Sequence, residues 1–428
     1  MKLVFTYENS LPNDQADAEV VVNTAAAFAR RGHEVVLLCP QDGHHPSTAE
    51  DVLRHFGVNG PLGVHVHRPP PWSRAIARFT TNAPTIERGR QHFTQIADLL
   101  AAPPVRDAEV IYTRHFLLAL RAMELGKSVF FDHYRPFGDQ IPPMQPLIRS
   151  MMAHPKFLGM VAHSKVAADA YRRLGMPDSM IEVRHNGFDP SRVRPPIERL
   201  EARARTGLDP DRNTVVYSGR VNQKKGLDVV LDLARRQPET HFVIVGSEGQ
   251  GTIEEAAETL ANVTIVGWRP SSAVVPYLYA ADVLIIPPSS VPLQRFGSTV
   301  LPLKVFLYLA IERPILAGDT PDIREVLGAD NACLVPAGDV DAADAALKRL
   351  WASKEEQARL SAGAAETAKG LTWDSRAERI ERFLLERIEG SRVDLAPRWK
   401  ASEWAAECRT WLRDGLVEGR WIQPGKAP

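Results

Sequence analysis

Apolar residues fall along this chain in two alternating patterns. Short runs rich in Val, Ile, Leu and Phe read as buried strands, and the longer segments between them carry apolar positions at helical spacing. Residues 3–7 are the first run, residues 18–31 (AEVVVNTAAAFARR) form a helical segment that Gly32 stops, and residues 35–38 are the next run. Strand, helix, strand is the unit of a parallel sheet. Further runs follow at 64–67, 110–112, 129–131, 160–162 and 181–183. Between Pro69 and Pro104 the pattern lapses into an Arg- and Thr-rich stretch, read as an irregular, helical insertion. At Asn186-Gly187-Phe188-Asp189-Pro190 it breaks, and Pro195, Pro196 and a charged segment follow, as at an interdomain hinge. A second series then runs through 214–217, 241–245, 263–266, 283–286, 315–316 and 334–335, with helical segments between. The chain reads as helical from 341 to 388.

Two such series predict an α/β chain of two Rossmann-like domains, with ligand in the cleft between them, outside the carboxyl ends of the strands. The expected division is 1–190 and 191–389. The tail, 390–428, bears Trp399, Trp404, Trp411 and Trp421 and is expected to return to the first domain. The N-terminal MKLVFTYENS reads as a strand and not as a signal peptide. The longest apolar candidate, 273–293, is cut by Asp282 and by prolines, so no transmembrane helix is expected. A soluble, cytoplasmic protein is the expectation.

Composition narrows the function classes. At 428 residues the chain is long enough for more than one ordinary core. Its 52 basic and 52 acidic residues cancel. A general nucleic-acid binder needs a basic excess to displace phosphate counterions, so nucleic acid is not expected as a partner. Cys39, Cys333 and Cys408 are far apart and give neither a disulfide framework nor a zinc spacing.

The strongest candidate chemistry lies in SGRVNQKKGL, from Ser218 to Leu227, after a β run and before a helix. Gly219 lets the backbone turn at the strand end, Arg220 offers a planar fork and Lys225 a point charge. Together they suit a diphosphate. A solvated basic turn is the plain alternative.

The run SGRVNQKKGLDVVLDLA resembles the GR-x4-KG signature of retaining glycosyltransferases of family 4, which have the GT-B fold. HFVIVGSEGQG, VTIVGWRP, VPYLYAADVLIIPPSS and PLKVFLYLAIERPILAGDTPDIREVL resemble the stretches that follow it in that family, in the same order. In the first half, RRGHEVVLLCP, the DH of FFDHYRP, and HNGFDPSRVRPP resemble its helix end, catalytic-His and linker stretches. The resemblance implies hexosyl transfer from a nucleotide-sugar, UDP-linked by expectation, to a hydroxyl or other nucleophile with the anomeric configuration kept. It implies no cofactor, since the nucleotide-sugar is a co-substrate, and no metal, since protein cations stand where Mg²⁺ would. Carried over residue by residue, it makes His133, Arg220 and Lys225 the catalytic candidates. It brings Ala16, Gly219, Trp268, Gly297, Ser298, Thr299 and Val300 to the donor as well. Trp268 would lie near the base, and the 297–300 backbone would approach the donor closely.

The sequence departs from the family at two donor-site glutamates. Thr299 and Leu307 stand at those positions, and neither is a carboxylate. A deleted charged hydrogen bond costs about 1.5–3 kcal/mol. A GT-B protein that binds nucleotide or sugar without transfer is therefore the second expectation. Lys304, about a turn from both positions, reads equally as a donor contact and as a surface lysine that snorkels. Asp132 is a candidate to orient His133, although neighbours on a strand point to opposite faces. Arg114, at another strand end, either faces the ligand or pairs with an acid. The acceptor, a small molecule, glycan or lipid, is not specified by the sequence, and neither is the oligomeric state. The apolar stretch 140–152 reads equally as core and as a surface for a lipid or peripheral membrane contact.

Overall fold

The computed structural model describes residues 1–41, 47–68, 96, 98–140, 144–222, 225–290 and 301–390. They divide into two compact units, Met1–His185 with the helix Trp373–Glu389, and Asn186–Thr372.

The first unit is built on β1 (Lys2–Thr6), β2 (Glu34–Pro40), β3 (Gly63–His67), β4 (Val110–Thr113), β5 (Ser128–His133), β6 (Phe157–Ala162) and β7 (Ile181–Val183). All pairings are parallel, in the order β3-β2-β1-β4-β5-β6-β7. A parallel sheet covered by helices on both faces needs apolar residues on both sides of each strand. Val129, Phe130 and Phe131, consecutive on β5, meet that demand and are fully buried. The second unit repeats the plan with β8 (Thr214–Ser218), β9 (His241–Ser247), β10 (Val263–Gly267), β11 (Val283–Ile286), β12 (Ile315–Asp319) and β13 (Cys333–Pro336). Its order is β10-β9-β8-β11-β12-β13, again parallel throughout. In each sheet the winding direction reverses beside the first strand, at β1/β4 and at β8/β11. Ligand crevices of open α/β sheets form at such reversals, at the carboxyl ends of the strands.

Where the sequence reading ended the second domain at 389, the structure gives the helix Trp373–Glu389 to the first unit. The reason is the stripe Trp373, Ile380, Phe383 and Leu384, which is buried there. The Phe383 ring stands edge-on to Phe130 of β5, with centroids 5.9 Å apart. Arg30 at the end of the helix Ala16–Arg30 donates to Asp374 at 2.6 Å. Within the stretch 140–152, Pro146, Ile148, Met151 and Met152 are buried in the first unit. Among the described residues no helix is long and apolar enough to cross a membrane. The tail beyond 390 and most of the Pro69–Pro104 insertion lie outside the described residues.

Candidate functional site

In the second unit the candidate residues gather at the β8/β11 reversal. Gly219 follows the last residue of β8 with φ at +133°, a conformation that L side chains rarely adopt. A Cβ at Gly219 would stand 3.0 Å from Lys304 Nζ and 3.3 Å from the Tyr217 hydroxyl. Lys304 begins the helix Lys304–Ile311, and its ammonium lies 3.5 Å from the centroid of the Tyr217 ring. The Tyr217 hydroxyl donates to the Arg220 carbonyl at 3.0 Å. One buried tyrosine therefore holds the Arg220 backbone by its hydroxyl and carries Lys304 on its ring face. The backbone N–H of Ser218 in turn donates to the Tyr308 hydroxyl at 2.8 Å, which ties the end of β8 to the Lys304 helix.

The electrostatics of the turn are one-sided. Arg220 pairs with Glu248 at 3.2 Å, and both side chains are half-exposed. Lys225 is an exposed residue, yet burial by the surrounding protein and then the Arg220 charge lower its pKa. Burial first, and then Lys225, hold Lys304 well below the usual lysine range. Among the described residues, Glu248 is the one acid paired with any of these three cations. Such a cluster has the charge to attract an anion.

Gly226 fixes the far end of the turn. Its φ is +70°, and a Cβ there would stand 2.1 Å from Ser289 Cβ, in the segment after β11. Replacing Gly226 by Ala is expected to cost about 2 kcal/mol or more, from left-handed strain plus a contact that forces the segments apart. Thermal melts of Gly226→Ala and of Gly226→Ala with Ser289→Gly check this. The second change should restore part of the loss, and equal melting of wild type and single variant would contradict it.

Trp268 is 44% exposed and follows β10, where its backbone N–H donates to the Ser247 carbonyl at 2.7 Å. In the sheet order, β9 lies between its strand and that of Gly219. The structure thus brings together Gly219, Arg220, Lys225 and Lys304, and leaves Trp268 at a neighbouring position on the same edge. Gly297, Ser298, Thr299 and Val300 lie outside the described residues. Leu307, described on the Lys304 helix, is partly buried and packs against the core of the second unit. Sequence reasoning missed the parts played by Tyr217, Tyr308 and Ser289. Tyr217 closes an apolar strand run and reads there as core, and nothing local marks it as a platform.

In the first unit, His133 ends β5 and is 8% exposed. Its ring is stacked on Phe131 and meets Phe137 and Tyr171 edge-on. Nδ1 lies 3.1 Å from the Arg135 carbonyl and 2.8 Å from the Tyr171 hydroxyl. Burial, with the nearby Arg114 charge adding to it, pushes its pKa down to about 3, so the ring is neutral at physiological pH. Ala16 starts the helix Ala16–Arg30 at the carboxyl end of β1 and is exposed. Arg114, after β4, donates to the Asp17 carbonyl at 3.1 Å and lies 4.0 Å from Asp132.

Asp132 does not orient His133, because the two point to opposite faces of β5. Instead Asp132 accepts from the Tyr112 hydroxyl at 2.6 Å, from Arg376 at 2.9 Å and from His163. Arg376 comes from the helix Trp373–Glu389 and also donates to Thr24 at 3.2 Å. Arg376, His163 and Arg114 hold the Asp132 carboxyl well below the usual range, against the opposing effect of its complete burial. Burial likewise lowers His163, to about 4, although Asp132 opposes the shift.

These two histidines set a pH dependence. Each is neutral in the folded chain and binds a proton near pH 6.5 once unfolded. Acid therefore favours the unfolded state: stability is full above pH 6.5 and falls as pH drops from there toward the folded values. The slope is expected to reach about 1.4 kcal/mol per pH unit per histidine. Denaturant titrations of wild type and His133→Phe at pH 7.5 and 5.5 measure it. A variant with the same pH slope as wild type would contradict the assignment.

Comparisons with known proteins bear on the fold and the family. Residues 198–367 match the family model described as Glycosyl transferases group 1, and residues 18–192 match that of Glycosyltransferase Family 4. A D-inositol 3-phosphate glycosyltransferase of Segniliparus rotundus is 27% identical over 279 residues, covering 62% of this chain and 54% of the relative. One from Xylanimonas cellulosilytica is 29% identical over 289 residues, covering 63% of this chain and 64% of the relative. The chain thus spans between about half and two-thirds of these relatives' lengths. Among solved structures, a sucrose-phosphate synthase from Thermosynechococcus elongatus superposes with a TM-score of 0.68 at 16% identity, covering 91% of this chain and 99% of that one. Anabaena Alr3699/HepE in complex with UDP-glucose superposes with a TM-score of 0.67 at 15% identity, covering 90% and 100%. With two parallel α/β units of this topology and family matches across both, the chain has the GT-B fold and belongs to glycosyltransferase family 4.

Proposed function

We propose that this protein transfers a hexose from a nucleotide-sugar, UDP-linked by preference, to a hydroxyl or other nucleophilic acceptor, with the anomeric configuration kept. The observation that carries the reading is the convergence of Arg220, Lys225 and Lys304 on the turn after β8. As the bond between C1 and the diphosphate oxygen breaks, negative charge builds on that oxygen. Positive groups held at the turn by the fold stabilise it with little reorganisation. The acceptor oxygen bonds to C1 on the face the diphosphate leaves, and its proton passes to the departing phosphate oxygen. His133, neutral and anchored through Nδ1, serves as a hydrogen-bonding partner for a sugar or acceptor hydroxyl and not as a proton carrier. Trp268 is proposed as a surface for the base, and Ala16 as a small residue at the donor.

The family membership and the HepE complex with UDP-glucose support the donor class. Leu307 favours a second reading, binding without transfer, since a side chain packed on the core cannot accept a ribose hydrogen bond. Incubation with UDP- and GDP-sugars and a panel of acceptors separates the two. Release of nucleotide diphosphate with an axial or equatorial product linkage that matches the donor supports transfer. Saturable binding without release across the panel supports the second reading.

A further inference from the structure

We infer that Lys304 is a switchable third cation of the diphosphate site, held on the Tyr217 ring and taking up a proton as the anion arrives. The inference rests on the proposed donor site and adds a device to it.

The argument starts from where the ammonium sits. Lys304 Nζ lies 3.5 Å from the Tyr217 ring centroid and against Gly219, where any Cβ would come within 3.0 Å. Among the described residues, the groups that face it come from three elements. From β8 comes the Tyr217 ring, and from the turn after β8 come Lys225 and, beyond it, Arg220. Its own helix contributes Tyr308, whose hydroxyl is engaged by Ser218. Glu248, on the turn after β9, is paired with Arg220. Among the described residues no carboxylate pairs with Lys304.

A ring face attracts a cation but does not neutralise it. A desolvated ammonium beside a second lysine is therefore short of negative charge until a ligand supplies it. Its pKa, already lowered by burial and by Lys225, rises when a diphosphate enters, because an opposite charge nearby favours the charged form. The proton comes from solvent, so binding and proton uptake are linked. Tyr217 couples the device to the clamp, because its hydroxyl holds the Arg220 carbonyl while its ring holds Lys304.

The test is calorimetric titration of the full chain with UDP in buffers of different ionisation enthalpy, at about pH 8.5, above the last phosphate ionisation near pKa 6. Wild type is expected to take up a measurable fraction of a proton per UDP bound. Lys304→Met should take up clearly less, only what Lys225 contributes, and bind about tenfold or more weakly, as for a lost charged hydrogen bond. Lys304→Arg, whose charge is permanent, should recover affinity without recovering the lost proton uptake. Thermal melts establish that each variant is folded. Inorganic pyrophosphate is titrated in parallel. Unchanged affinity and proton uptake in Lys304→Met, with UDP still bound through Arg220, overturn the inference and leave the proposed function standing. Pyrophosphate binding that depends on Lys304, with no binding of UDP or GDP, supports the third cation and sinks the nucleotide-sugar reading. Failure of every one of these anions to bind overturns both.

Discussion

Asp132→Ala is expected to destabilise the first unit by about 3–5 kcal/mol, the range for removing one partner of a buried ion pair. The carboxylate is fully buried and accepts from Tyr112, His163 and Arg376. Its loss leaves the Arg376 guanidinium buried without a counter-charge and unties the helix Trp373–Glu389 from β5. Hydrogen exchange of β4 to β6 measures the effect within this unit, which a global melt of a chain with two units does not isolate. The double change Asp132→Leu with Arg376→Met should be less damaging than the sum of the single changes, because it removes both charges together. Protection of β5 unchanged in Asp132→Ala would contradict this account of the pair.

Arg220→Ala is expected to lower turnover about 100- to 1,000-fold, the scale of losing one preorganised group at a developing oxyanion. Lys225→Ala should act in the same direction. Arg220→Lys should recover only part of the rate, since a lysine ammonium lacks the planar fork. Initial rates of nucleotide diphosphate release under saturating donor measure the effect. Because both side chains reach solvent and neither is a core residue, the variants should melt near wild type. A normal rate in both alanine variants would remove the turn from the chemistry.

The strand pattern was legible because both sheets are parallel and covered. Every strand inside the sheet then needs a continuous apolar run, and such runs stand out between helical segments, whereas the edge strands β3 and β10 are only partly buried. Gly219, Arg220 and Lys225 were legible for another reason: they lie within one turn of chain, so local order alone places them together. Lys304 was legible only as one of two equal readings, and the part of Tyr217 not at all, since only the β8/β11 pairing brings the helix Lys304–Ile311 against that strand. Asp132 and Arg376 are 244 residues apart, and Arg376 sits among charged residues that read as a solvated helix face. The same camouflage explains why the helix Trp373–Glu389 was assigned to the neighbouring domain. Its apolar stripe is clear in the sequence, but which core it serves is a tertiary fact. His133 stood out only through its resemblance to a family motif, whereas its aromatic cage explains why the ring stays neutral.

The most direct measurement of the central claim is a calorimetric comparison of UDP with uridine against wild type and the Arg220→Ala, Lys225→Ala double variant. The account predicts that wild type prefers UDP strongly, that this preference falls as salt rises, and that the double variant, with only Lys304 left, loses most of it. Equal affinity for UDP in wild type and double variant would contradict it.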